Sequence, residues 1–201
     1  MLKRISLLGV LICVALFAKA QSSDSLGLFR QYDSMMNQYK SAKSNYDAKK
    51  EKLESLKTAA VDISTLSVSG ATEKSKAMAA AKLEKEKAAM ELSAKKKAVM
   101  EVSEKANKIY QEKFNSANVA LQNANAAVTT KEQTIKALKT KEAKAKGKAK
   151  AAVTKELGLE KSNLVALKNK QISAMKSFEE ANANAQKSSE NLKSASILVA
   201  E

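Results

Sequence analysis

From Leu28 to Ile63 apolar side chains return every seven residues. Tyr32, Tyr39, Tyr46, Leu53 and Ala60 form one seam and Leu28, Met35, Ala42, Leu56 and Ile63 the other, with Lys49 the single interruption. Five heptads in one register describe a narrow stripe suited to a partner helix, and a disordered polar tract rarely produces them. The pattern predicts a first helix over residues 24–62. It then changes character: Val61 to Gly70 alternates apolar with small polar residues and ends in a glycine able to adopt positive φ, which predicts a turn near 63–71. Thr72 is placed to cap a second helix.

That second helix is predicted over residues 72–145. Leu92, Val99, Val102, Ala106 and Ile109 give its first seam. Past Tyr110 the phase shifts, and Phe114, Leu121, Val128 and Ile135 repeat every seven residues with Ala117, Ala124 and Leu138 beside them. A shift of this kind is a stutter, which unwinds a supercoil locally without ending the helix. Residues 139–150 hold no large apolar side chain and include Gly147, which predicts a second turn. A third helix follows over residues 150–199. Leu157, Leu164, Phe178, Ala185, Leu192 and Val199 make one of its seams, Leu167, Ala174, Ala181 and Ala195 the other, and Gln171 is its polar exception.

At 1.5 Å per residue these helices would be roughly 60, 110 and 75 Å long. Lengths so unequal predict an all-α, elongated antiparallel coiled coil, with the second helix as spine and the other two folded back along its halves. Residues 21–201 then form one extended helical domain. Alanine-rich seams bury little apolar area per heptad, so self-association as a dimer or trimer is expected.

Composition supports long helices, because proline and tryptophan are absent and Ala, Lys, Glu, Leu, Met and Gln dominate. It also bears on compartment. Met1-Leu2-Lys3-Arg4, the apolar run Ile5 to Phe17 and Ala18-Lys19-Ala20 have the order of a secretory signal peptide over residues 1–20, with cleavage expected before Gln21. Thirteen residues would cover about 20 Å of the roughly 30 Å hydrocarbon core, which makes an uncleaved anchor the minor reading. Cleavage would remove Cys13, the only cysteine, leaving no disulfide or thiolate metal site. It would also take Lys3, Arg4 and Lys19 from a net charge of +15, leaving +12. The expected location is the periplasm, with the cell surface or the medium as alternatives.

Chemistry is sparse. The chain has no histidine, its aspartates are confined to Asp24, Asp33, Asp47 and Asp62, and most glutamates sit beside lysines on helical faces. No paired-carboxylate, phosphate-loop, nucleophile-elbow or zinc pattern occurs, so neither an enzyme, a cofactor nor a metal is expected. One concentration of charge stands out: residues 131–155 hold nine lysines against Glu132 and Glu142. Lys136, Lys139, Lys141, Lys144, Lys146, Lys148 and Lys150 are its candidate contacts for an anionic partner, such as lipopolysaccharide phosphate, anionic lipid or an acidic protein. A solvated loop that keeps the chain soluble is the plainer alternative. Arg30 is the only arginine after residue 20 and no aromatic residue lies between Phe114 and Phe178, which argues against specific nucleic-acid readout. The spacing of Tyr32, Tyr39 and Tyr46 reads as core seam rather than as a client-binding strip.

A signal peptide, a small basic chain without cysteine after it, and long Lys- and Ala-rich helical arms resemble the Skp-type (OmpH-like) periplasmic chaperones. That family joins its arms to a small β-rich trimerisation body made from both chain ends. Here the only short strand on offer is Ile197-Leu198-Val199. Two functional expectations follow: a structural or scaffolding protein of the bacterial envelope acting through protein contacts, and, as the alternative, a holdase for unfolded outer-membrane proteins.

Overall fold

The computed structural model describes the backbone of residues 5–60 and 68–200 and the side chains of residues 27–59 and 70–200. The chain is all-α, with three helices: α1 (Ile5–Ala60), α2 (Val68–Lys144) and α3 (Gly147–Ala200). Among the described residues there is no strand, and Ile197 to Val199 continue α3. No helix among the described residues is long and apolar enough to cross a membrane.

The helix boundaries differ from the sequence expectation where residue chemistry is ambiguous. α1 begins at Ile5 rather than near residue 24, since an apolar leader of Leu, Ile, Val and Ala can extend a helix directly. Its side chains, and with them the expected signal peptide and cleavage position, lie outside the described residues. The turn expected near 63–71 falls largely on residues 61–67, which are also outside them. Gly70 itself is helical, because α2 starts at Val68.

The second break falls where the expected helix ends, 145 and 150, place it, and is two residues long. Lysine and alanine sustain a helix without packing, so α2 continues to Lys144, and only residues 145–146 are non-helical before Gly147 opens α3. The Ala145 N–H donates to the carbonyls of Lys141 and Glu142 at 3.0 and 3.3 Å, closing the last turn of α2. Gly147 then takes φ of +55°, a conformation disfavoured for residues with a Cβ. Gly147→Ala is therefore expected to cost about 1–2 kcal/mol. Gly158→Ala, inside α3 with open space around the new methyl, should instead stabilise by up to about 1 kcal/mol. Urea unfolding of the two variants checks this, and equal signs would contradict the backbone argument.

Within the span 21–201 contacts gather into two compact units. The first takes in α1, α2 as far as Ala106, and α3 from Glu190, and the second comprises Asn107–Ser189. In the first unit α1 and α2 run antiparallel. Lys95 donates to Gln38 at 2.8 Å, Lys49 and Lys52 both reach Glu84 at 3.1 and 3.4 Å, and Lys74 donates to the Ala59 carbonyl. Lys49, the interruption in the first seam, is thus a half-buried side chain whose ammonium pairs across the helices while its stem lies along the interface. The end of α3 joins this pair. Tyr32, Tyr39, Val99 and Ala195 form a buried cluster flanked by Met35, Met36, Leu92, Met100, Val102 and Leu198. The near-total burial of Val99 and Ala195 shows why alanine is used, since a small residue lets the third helix approach closely.

In the second unit α2 and α3 form an antiparallel hairpin. Its contacts climb from Glu142–Thr154 near the turn through Lys131–Glu160, Asn125–Gln171 and the Phe114–Phe178 ring pair to Asn107–Ser188. Ile135, Leu138 and Leu157 make its buried cluster, with Val153 and Leu164 packed against it.

Candidate functional site

The side chains singled out in the sequence fall into two groups that the structure places very differently. Among the seam positions, Tyr32, Tyr39, Leu53, Val128, Ile135 and Leu157 are buried, while Tyr46, Leu56, Phe114, Leu121, Leu164, Leu167, Phe178 and Leu192 are half-buried. They line the inner faces of their own units. Phe114 and Phe178 meet with ring centroids 5.4 Å apart at a tilt of 39°.

Two seam assignments shift. On α2 the most deeply buried positions after Val99 are Ser103, Ala106 and Tyr110, while Val102, at the edge of the first cluster, and Ile109 are half-buried. The spacing runs four, three, four, and then four again to Phe114. On α3 the seam ends at Ala195 with Leu198 against the first cluster, whereas Val199 is half exposed. Spacing of four residues rather than three rotates the next contact onto the same face when helices cross with little supercoil.

Sequence reasoning missed Ser103 and Ser188, both fully buried. Serine approaches alanine in size, and its hydroxyl can be satisfied within the helix. Ser103 donates to the Val99 carbonyl at 2.7 Å, and Ser188 to the Ala185 carbonyl at 2.8 Å and towards the Asn107 side-chain oxygen at 3.3 Å. Ser188 does lie on the seven-residue repeat of the second α3 seam, between Ala181 and Ala195, whereas Ser103 is signalled only by standing four residues after Val99 and three before Ala106.

The seven lysines Lys136, Lys139, Lys141, Lys144, Lys146, Lys148 and Lys150 are all exposed. They surround the α2–α3 turn within the second unit, and none takes part in an ion pair among the described residues. The nearby acids are engaged. Glu132 pairs with Lys168 at 2.9 Å, Glu160 with Lys131, and Glu142 accepts the Thr154 hydroxyl at 2.6 Å. The hydrogen bond from Lys131 holds the Glu160 carboxyl below its usual range against the opposing effect of desolvation, with the lysine's charge adding to the lowering. Glu142 keeps its charge and Glu156 is exposed, but the seven exposed lysines between residues 136 and 150 outnumber these two carboxylates at the turn.

Two open grooves lie on the first unit. An open groove of about 700 Å³ between α1 and α2 is lined by Arg30, Asp33, Asn37, Gln38, Glu91 and Lys95 among others. A second, of about 510 Å³, lies over Leu53 and Met78 and is edged by Lys57, Lys82, Lys85 and Glu86. Among the described residues no three carboxylate, histidine or cysteine side chains gather in a way that could hold a metal ion. Tyrosine chemistry is confined to packing: burial pushes the Tyr110 phenol up to about 12, and burial, with Asp33 beside it, also raises that of Tyr32.

Comparison of the chain with protein-family models, with curated proteins and with solved structures finds no match.

Proposed function

We propose that this chain is a non-enzymatic helical scaffold of the bacterial cell envelope, working through protein–protein contacts that include association with its own copies. The observation that carries the reading is a surplus of heptad-spaced apolar side chains. In the first unit Leu83 and Met90 stand seven residues apart on α2 with 53% and 67% of their surface exposed. In the second, Val165 and Ile172 stand seven apart on α3, each 61% exposed. Both pairs lie away from the seams that join the helices within the chain, and an apolar stripe at this period suits another helix. Export to the envelope rests on the order of charges and apolar residues in the first twenty positions.

A second reading, a holdase for unfolded outer-membrane proteins, draws support from Met90 and Met175. These are flexible, exposed apolar side chains set among lysines, a combination that accommodates varied clients.

Analytical ultracentrifugation of the full chain separates the two. The scaffold reading expects a concentration-dependent oligomer whose dissociation constant rises at least tenfold in the Val165→Gln/Ile172→Gln or the Leu83→Gln/Met90→Gln variant. A chain that stays monomeric at every concentration would sink it. A monomer that forms a defined complex with a urea-unfolded outer-membrane protein would favour the holdase instead.

A further inference from the structure

We infer that the α2–α3 turn is an electrostatic docking tip for the phosphate headgroups of an anionic lipid surface. From Lys136 to Lys155 the chain carries eight lysines and a single acid, Glu142, whose carboxylate is turned to Thr154. A break of only two residues at 145–146, made possible by the positive φ of Gly147, brings two lysine-bearing helix ends together. Lys141 and Lys144 close one helix while Lys148 and Lys150 open the other.

The chemistry of the tip chooses among polyanions. Its cations are all ammonium groups on flexible stems, point charges without the planar fork of arginine that reads a base edge or clamps a carboxylate on two sides. No aromatic ring lies near enough in sequence to stack on a base, since none occurs between Phe114 and Phe178. From residue 139 to 152 the apolar residues are all alanine, so the tip has nothing to insert into an acyl layer. The exposed lysines are distributed around the turn instead of converging on a pocket. A continuous, laterally mobile array of phosphodiesters satisfies such a distribution better than a shaped acidic protein, because lipids can rearrange beneath each lysine. Polybasic segments adsorb to anionic bilayers in this way, within a Debye length of about 8–10 Å.

The test is sedimentation of the full chain with phosphatidylglycerol vesicles and with phosphatidylcholine vesicles. The ratio of the two affinities is read, so that any contribution of the apolar leader cancels. A lysine near such a surface contributes about fivefold, and Lys144→Gln/Lys146→Gln/Lys148→Gln/Lys150→Gln should lower the ratio at least a hundredfold. The same net charge removed from exposed lysines of the first unit, in Lys76→Gln/Lys87→Gln/Lys97→Gln/Lys105→Gln, should leave it within about threefold. All these side chains are exposed, and circular dichroism verifies that both variants stay helical. Equal losses in the two variants would show that net charge alone governs binding and would overturn the proposal. So would a wild-type ratio near one. Displacement by soluble polyglutamate or by duplex RNA at equal charge concentration, as effective as displacement by free phosphatidylglycerol vesicles, would also overturn it, in favour of an acidic protein or a nucleic acid. This result is independent of the oligomer measured for the scaffold reading.

Discussion

Val99→Asp is expected to unfold the first unit at neutral pH. Val99 has no exposed surface and packs with Tyr32, Tyr39 and Ala195 where three helices meet. Losing the valine forfeits about 1.5–2 kcal/mol of burial. The carboxyl that replaces it cannot stay ionised in that cluster, and holding it protonated at pH 7 against an ordinary value near 3.9 costs about 4 kcal/mol more. A total near 6 kcal/mol rivals the 5–15 kcal/mol by which folded domains are usually stable. The carboxyl's raised value makes the penalty present above its ordinary pKa and small below it, so the variant should regain most of its helicity near pH 4. Val99→Ala, which adds a cavity but no charge, should lack this acid rescue. Thermal circular dichroism of both variants at pH 4 and pH 7 decides the matter. A Val99→Asp chain that melts like wild type at pH 7 would mean that this contact is not formed.

Tyr110→Ala is expected to destabilise the second unit by about 3–5 kcal/mol, the cost of emptying the space of a buried aromatic ring. Tyr110 is only 1% exposed, and its phenol carries a pH signature that tests the burial separately. An ordinary tyrosine ionises near 10, whereas this one does so at about 12 because burial disfavours the phenolate. The folded chain thus holds the proton more firmly than the unfolded chain. Stability from this group is fully present below pH 10 and is lost as the pH rises through about 12, by roughly 2–3 kcal/mol in all. Tyr110→Phe keeps the ring and removes the titration. Lysines titrate in the same window but do so in both proteins, so the difference between the two urea-unfolding curves from pH 9 to 12 isolates Tyr110. Parallel curves would show the phenol to be in water.

How much of this was legible in the sequence depends on what kind of residue carried the information. Large apolar residues at heptad spacing were partial guides: Tyr32, Tyr39, Leu53, Val128, Ile135 and Leu157 are buried, whereas Tyr46, Leu56, Phe114, Leu121, Leu164, Leu167, Phe178 and Leu192 are half-buried. Small residues were poor guides. Ser103 and Ser188 resemble the many exposed serines and alanines in size and polarity, and although Ser188 falls on the heptad repeat between Ala181 and Ala195, a hydroxyl at such a position does not by itself mark burial. Ala195 was placed in a seam, yet its partners Tyr32 and Val99 come from helices far away in sequence, which periodicity within one segment cannot specify. The lysine tract was legible in its charge and in its helix ends, expected at 145 and 150 and found at Lys144 and Gly147, but not in the tightness of the break between them. An absence of large apolar residues marks a stretch as unpacked but not as unwound, and Lys139 to Lys144 remain helical. The lysines of the candidate tip were thus identifiable as a group, while their arrangement about a two-residue turn was not.

That short turn also bears on how the second unit assembles. The contacts along its hairpin bridge 12 residues at Glu142–Thr154, then 29 at Lys131–Glu160, 46 at Asn125–Gln171 and 81 at Asn107–Ser188. Closing the longest of these from an open chain would carry the full entropy of an 81-residue loop. With the turn formed first, each contact closes a loop that the preceding one has already shortened, so the route of least entropy loss runs outward from residue 145 in the manner of a zipper. Alanine-rich seams offer few features to prevent two helices from pairing one heptad out of step. The polar pairs Asn125–Gln171 and Asn107–Ser188 stand along that route, and each forms only when the two helices are in the native register.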